Sequence, residues 1–150
     1  MNDKVKEKTG AENVQWDLSD LYNSLDDPAL ENDKKRIVEQ AEKFASTYKG
    51  NVANLDEESM RQALEEYEEL IELAGKIGSY AHLIWSTNTN KPEYGKLKQE
   101  ASELTSEVHQ MLVFFDVEWL AVDEEKARKL IESDELKLYK HYLETSRRYK

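Results

Sequence analysis

The feature that most constrains this chain is an apolar stripe of 25 residues. Met60, Ala63, Leu64, Tyr67, Leu70, Ile71, Ala74, Ile77, Ala81 and Ile84 recur at spacings of three and four. Only an α-helix brings such positions onto one face, so this stretch predicts a long helix that buries one side and wets the other. Asp56 with Glu57 and Glu58 opens it, placing negative charge at the positive end of the helix dipole. Gly75 and Gly78 fall inside the pattern and predict a kink or a close helix contact.

A helix of that kind needs partners, and the flanking sequence supplies them. Asp27-Pro28 announces an earlier helix, with Asp as N-cap and Pro presetting φ at the first helical position. Its stripe is Ile37, Ala41, Phe44, Ala45 and Tyr48, and Gly50 marks its stop. After a polar loop, Ser86 to Lys91, the run Asn90-Lys91-Pro92-Glu93 reads as a capping box. The helix behind it places Leu97, Ala101, Leu104, Val108, Met111 and Phe115 on one seam. Asp123 caps a short helix through Ala127, Leu130 and Ile131, and a last helix starts near Ser133-Asp134 with Leu136, Tyr139 and Leu143. The expected fold is all-α: an elongated bundle of about five helices, several long and antiparallel, with an extended N-terminal arm. Residues 1–13 are polar and expected to fray. Trp16, Leu18, Leu21 and Tyr22 would pin the arm to the body. Tyr142 to Lys150 carry no Gly, Asn or Pro stop; either the last turn frays or the sequence continues in a longer parent.

The charge excludes several classes of function. A net charge of -11 argues against nucleic acid, which needs clustered cations to displace counterions. Eight acids against one base in residues 56–73 read as a solvated acidic face, and eight bases against four acids in residues 126–150 as a salt-bridged end. There is no cysteine, hence no disulfide and no thiolate chemistry. The N-terminus shows no secretory leader, and the most apolar window, Met111 to Val122, is interrupted by Asp116 and Glu118, too short and too charged to span a bilayer. A cytoplasmic location with no membrane partner is expected.

Catalytic signatures are missing. His82, His109 and His141 stand 27 and 32 residues apart, and none precedes a Glu, so the zinc-protease pattern H-E-x-x-H is absent. Glu65, Glu69 and Glu72 stack on one helix face, but no Glu-x-x-His accompanies them and they read as surface. No nucleophile elbow, phosphate-cradling loop or dinucleotide fingerprint occurs. Trp85, at a helix end before a polar loop, is the aromatic best placed for a surface contact. No catalytic, cofactor-binding or metal residue is therefore assigned in this chain.

Several segments, in order, resemble the front of oligoendopeptidase F, within the thimet-oligopeptidase-like zinc metallopeptidases. They are Trp16-Asp17-Leu18-Ser19-Asp20-Leu21-Tyr22, then Phe44 to Tyr48-Lys49-Gly50-Asn51-Val52, then Tyr67-Glu68-Glu69-Leu70 and Tyr80-Ala81-His82-Leu83. Phe114-Phe115 with Glu118-Trp119 follow, and Leu138 to Glu144 close the series. The resemblance implies that residues 14–150 are a helical N-terminal domain truncated before a catalytic domain, forming one wall or lid of a channel for short peptides. Zinc, the catalytic C-terminal domain and oligopeptide substrates would belong to the full-length parent; this chain alone, without H-E-x-x-H, is expected to be inactive. The alternative is a free-standing helical interaction module or pseudo-enzyme fragment. Self-association is a further expectation for a fragment with an uncovered face.

Overall fold

The computed structural model describes residues 21–148. Residues 1–13, Trp16 and Leu18 lie outside that range, so the arm can be followed only from Leu21, which is half-buried, and Tyr22, which is buried. Five α-helices follow: α1 (Pro28–Tyr48), α2 (Glu57–Thr87), α3 (Pro92–Ala121), α4 (Glu124–Glu132) and α5 (Lys140–Arg147). Short 3₁₀ turns occupy Val52–Asn54 and Asp134–Tyr139, and no strand occurs among the described residues. The expected all-α bundle is observed.

The caps are those the sequence advertises at three helix starts. Asp27 accepts from the Ala29 amide, with Pro28 in the first turn. Asp56 and Ser59 exchange side-chain and backbone hydrogen bonds in a reciprocal box. Asp123 accepts from the Lys126 amide. Gly50 turns the chain out of α1 at φ 83°, a left-handed conformation that side chains resist.

Side-chain contacts fix the directions of the long helices. Between α2 and α3, Trp85 meets Lys98, Gly78 lies beside Thr105, and Tyr67 reaches Asp116. One number falls as the other rises, so α2 and α3 run antiparallel. Between α1 and α2, Asp33 pairs with Lys76 and Phe44 packs on Tyr67, again antiparallel. α1 and α3 are parallel, with Lys34 near Glu100 and Phe44 against Phe114. At 1.5 Å per residue the 31 residues of α2 make a rod of about 46 Å. α4, the second 3₁₀ turn and α5 then fold back over the end where α1 finishes, α2 starts and α3 finishes.

Buried side chains follow the predicted stripes: Ile37, Ala41, Phe44 and Tyr48 on α1, Met60 to Ala81 on α2, and Leu97, Ala101, Val108 and Phe115 on α3. Ile71 departs from its stripe and is 37% exposed, while Leu73 and Tyr80, outside the predicted stripe, are buried. The reason is that α2 is covered by α1 on one side and α3 on the other, which buries a broader arc than one stripe.

Four further expectations are corrected. The 86–91 loop is shorter than expected, because α2 continues through Thr87. The capping box at Asn90 and Glu93 does not form. Pro92 occupies the first turn of α3, which makes Lys91 the cap residue, and lysine has no side-chain acceptor. Asn88 holds the turn instead, accepting from the Asn90 amide at 3.0 Å. The last helix is two pieces: Leu136 has φ -110° and ψ 15°, and the α-helix starts only at Lys140. Finally, α2 runs unbroken through Gly75 and Gly78. A Cβ at Gly75 would meet nothing within 4 Å, and one at Gly78 only Thr105 Cγ2 at 3.9 Å. Neither glycine is needed for close approach, so Gly75→Ala and Gly78→Ala should each stabilise the chain by about 0.5–1 kcal/mol in a urea titration.

Candidate functional site

The polar groups that organise this molecule converge on its base, where α3 ends. Asp116 and Glu118 interrupt the apolar run Met111 to Val122, and the fold gives each an inward task. Asp116 accepts from Tyr67 Oη of α2 at 3.4 Å and from Tyr142 Oη of α5. The three side chains link α2, α3 and α5, and the Tyr67 ring sits 5.5 Å from that of Phe115 and 6.3 Å from that of Tyr142. Glu118 accepts from the Gly50 amide at 2.7 Å and from the Val52 amide at 3.2 Å. One carboxylate thus satisfies two backbone donors of the turn leaving α1, holding that turn against α3.

One residue further on, Trp119 is fully buried and donates from Nε1 to the Leu143 carbonyl at 3.1 Å. Arg147 lies over its ring, 5.2 Å from the centroid. The guanidinium donates to the carbonyls of Trp119 and Val122, the second at 2.9 Å, and to Glu124 at 2.9 Å. A cation placed on the last carbonyls of a helix also opposes the negative end of the dipole. A second polar hub lies toward the other end. Asp33, 6% exposed, accepts from Tyr22 Oη at 2.7 Å, Arg36 at 3.0 Å and Lys76 at 3.5 Å. Burial resists ionisation of Asp33, but the Tyr22 and Arg36 hydrogen bonds outweigh it and hold its carboxyl below the usual range.

The tyrosines are perturbed in the opposite sense. Burial, then the Asp116 charge, pushes Tyr67 up to about 12. Burial, then the hydrogen bond to Glu66, pushes Tyr48 up to about 12. Burial and the hydrogen bond to Asp116 raise Tyr142 further still. These phenols are proton-holding donors, not bases. A raised folded-state pKa leaves stability untouched below the unfolded value of about 10 and withdraws it as pH climbs through the folded value. The unfolding free energy should therefore fall steeply above about pH 10, and Tyr142→Phe should flatten that fall by about 1.4 kcal/mol per pH unit, one proton's worth. Urea titrations of both proteins between pH 9 and 11.5 check this; identical slopes would remove Tyr142 from the linkage.

The residues weighed as candidates in the sequence are dispersed. His82 on α2, His109 on α3 and His141 on α5 are all exposed. Glu65, Glu69 and Glu72 are exposed as well, with Glu65 paired to Arg61 at 3.2 Å. Trp85 is half-buried, with Lys98 Nζ 3.9 Å above its ring and the His82 ring 6.1 Å away. Among the described residues no group of three or more His, Cys, Asp or Glu is placed to hold a metal ion. No described helix is long and apolar enough to cross a membrane. Sequence reasoning missed Asp116 and Glu118 as organising residues, although two acids in the most apolar window were a signal that something inside needed them.

A family profile described as Oligopeptidase F matches residues 118–150, the stretch that begins with Glu118 and Trp119. Oligopeptidase PepF of Bacillus subtilis (strain 168) is 29% identical over 130 residues, 86% of this chain. The chain is similar to the N-terminal region of oligopeptidase F. The match covers 19% of that relative, so the chain spans about a fifth of the length of the curated relative it matches. No solved structure matches significantly. Two segments that carried the resemblance, Tyr48-Lys49-Gly50-Asn51-Val52 and Glu118-Trp119, are brought together in space by the Glu118 carboxylate. The zinc of oligoendopeptidase F-like enzymes does not fit the described residues: the three histidines stand exposed on three helices, with no ligand group assembled around any of them. No step of peptide hydrolysis is assigned to them.

Proposed function

We propose that these helices form part of the wall or lid of a peptide-enclosing channel in a cytoplasmic zinc oligopeptidase, the cleavage being performed by a catalytic domain elsewhere in the parent polypeptide. The observation that carries this reading is the likeness to Oligopeptidase PepF over 86% of the chain but only 19% of that protein. Residues 14–150 act in it as one helical domain. Zinc and its ligands belong to the catalytic domain, and the substrates are short unstructured peptides.

A chimera tests the reading. The chain replaces the matching fifth of Bacillus subtilis Oligopeptidase PepF, and a quenched fluorescent oligopeptide reports hydrolysis. The expected result is chelator-sensitive cleavage of the peptide with folded proteins left intact. A chimera that folds cooperatively yet leaves the peptide whole would contradict the proposal.

A further inference from the structure

The C-terminal half of α3 has an outer face unlike the rest of the surface. After Glu107 its exposed residues are His109, Gln110, Val113, Val117 and Ala121, and none is an acid, Lys or Arg. In a chain that is 35% charged, five solvated helix positions would carry about two charges. Val113 and Val117 are 56% and 60% exposed and one turn apart. The two acids of this half, Asp116 and Glu118, are both engaged, with Tyr67 and Tyr142 and with the Gly50–Val52 turn. The inner side of the same half is filled by Val108, Leu112, Phe115 and Trp119. Three of the five exposed residues, Val113, Val117 and Ala121, are apolar, so this half carries an apolar strip outside as well as inside, the pattern of a helix that protein covers on both sides.

We infer that the His109–Val113–Val117–Ala121 face is the docking surface for the remainder of an oligopeptidase F-type polypeptide, received through an apolar, uncharged patch of that partner. This rests on the function proposed above and names the surface it uses. Two arguments select that occupant over a second copy. The face offers five exposed side chains, far fewer than the roughly 20–30 residues a side that free partners need for a stable complex. A small face suffices when the partner is part of the same polypeptide, because tethering supplies a high effective concentration. In the Bacillus subtilis relative most of the chain lies outside the matched fifth. A second copy would also bring another body of charge -11 alongside the first.

The chain has no cysteine, so Val117→Cys introduces a single reporter thiol. Its rate of maleimide labelling is measured in the 150-residue chain and in a cysteine-free form of the chimera described above, each referred to its own rate in denaturant. Expected are near-denaturant labelling in the chain at every concentration and labelling at least about tenfold slower in the chimera. Val117→Asp should leave the melt of the chain unchanged and lower the Tm of the chimera. Fast labelling in a chimera that hydrolyses peptide overturns the surface and leaves the functional reading standing. Slow labelling in a folded but inactive chimera keeps the surface and removes the channel. Protection in the chain that grows with concentration assigns the face to a second copy, and protection independent of concentration assigns it to the chain's own residues; either overturns the inference. A chimera without a cooperative melt also counts against it.

Discussion

Trp119→Ala should lower the unfolding free energy by about 3–5 kcal/mol, a large share of the roughly 5–15 kcal/mol that a domain commands. Among the described residues Trp119 is the largest fully buried side chain, and its loss opens a cavity beneath α5 that the surrounding helices cannot close without moving. It would also take the indole donor from the Leu143 carbonyl, which keeps only the Ser146 hydroxyl as a side-chain donor, and leave Arg147 without the ring beneath it. α5 should therefore separate from the base first, and amide exchange in Lys140–Arg147 should accelerate more than in α1. Trp119→Phe keeps the ring and loses the hydrogen bond, and should cost about 1–2 kcal/mol. A urea midpoint unchanged by the alanine substitution would show that the base does not anchor the fold.

Phe44→Ala should cost a similar amount, about 3–5 kcal/mol, by a different route. Phe44 is 2% exposed and meets four rings: Tyr48 at 4.9 Å, Phe115 at 5.7 Å, Phe114 at 5.8 Å and Tyr67 at 5.9 Å between centroids. These contacts join all three long helices at one level, and each aromatic pair adds about 0.5–1.5 kcal/mol beyond simple burial. Phe44→Leu, which fills part of the space, should recover about half of the loss. Equal melting of the alanine variant and the unaltered protein would contradict this packing account.

The three long helices were legible because local signals agree with the packing. Asp27 and Asp56 cap α1 and α2 in the structure as in the sequence, and the stripes of all three at spacings of three and four are buried. Where the reading went astray, a local rule had two solutions. Leu136, Tyr139 and Leu143 are spaced by three and then four, and the chain uses a 3₁₀ turn for the first interval and an α-turn for the second. That change buries Leu136 completely and turns Leu138 out to 86% exposure. Asn90 and Glu93 had the spacing of a capping box, but Pro92 set the helix start and moved the cap to a lysine.

The organising polar groups were illegible for a different reason. Glu118 serves amides 66 and 68 positions away, and Asp116 serves phenols 49 and 26 positions away. No periodicity encodes such partners; only the tertiary fold brings them together. The resemblance to oligoendopeptidase F contained both halves of the Glu118 contact without revealing that they touch.

Hydrolysis by the 150-residue chain itself tests the central claim most directly. The purified chain, incubated with a quenched fluorescent oligopeptide and a stoichiometric zinc salt, should retain no zinc after gel filtration and release no fluorescence. Peptide turnover abolished by a chelator, with zinc co-eluting at one ion per chain, would contradict the account.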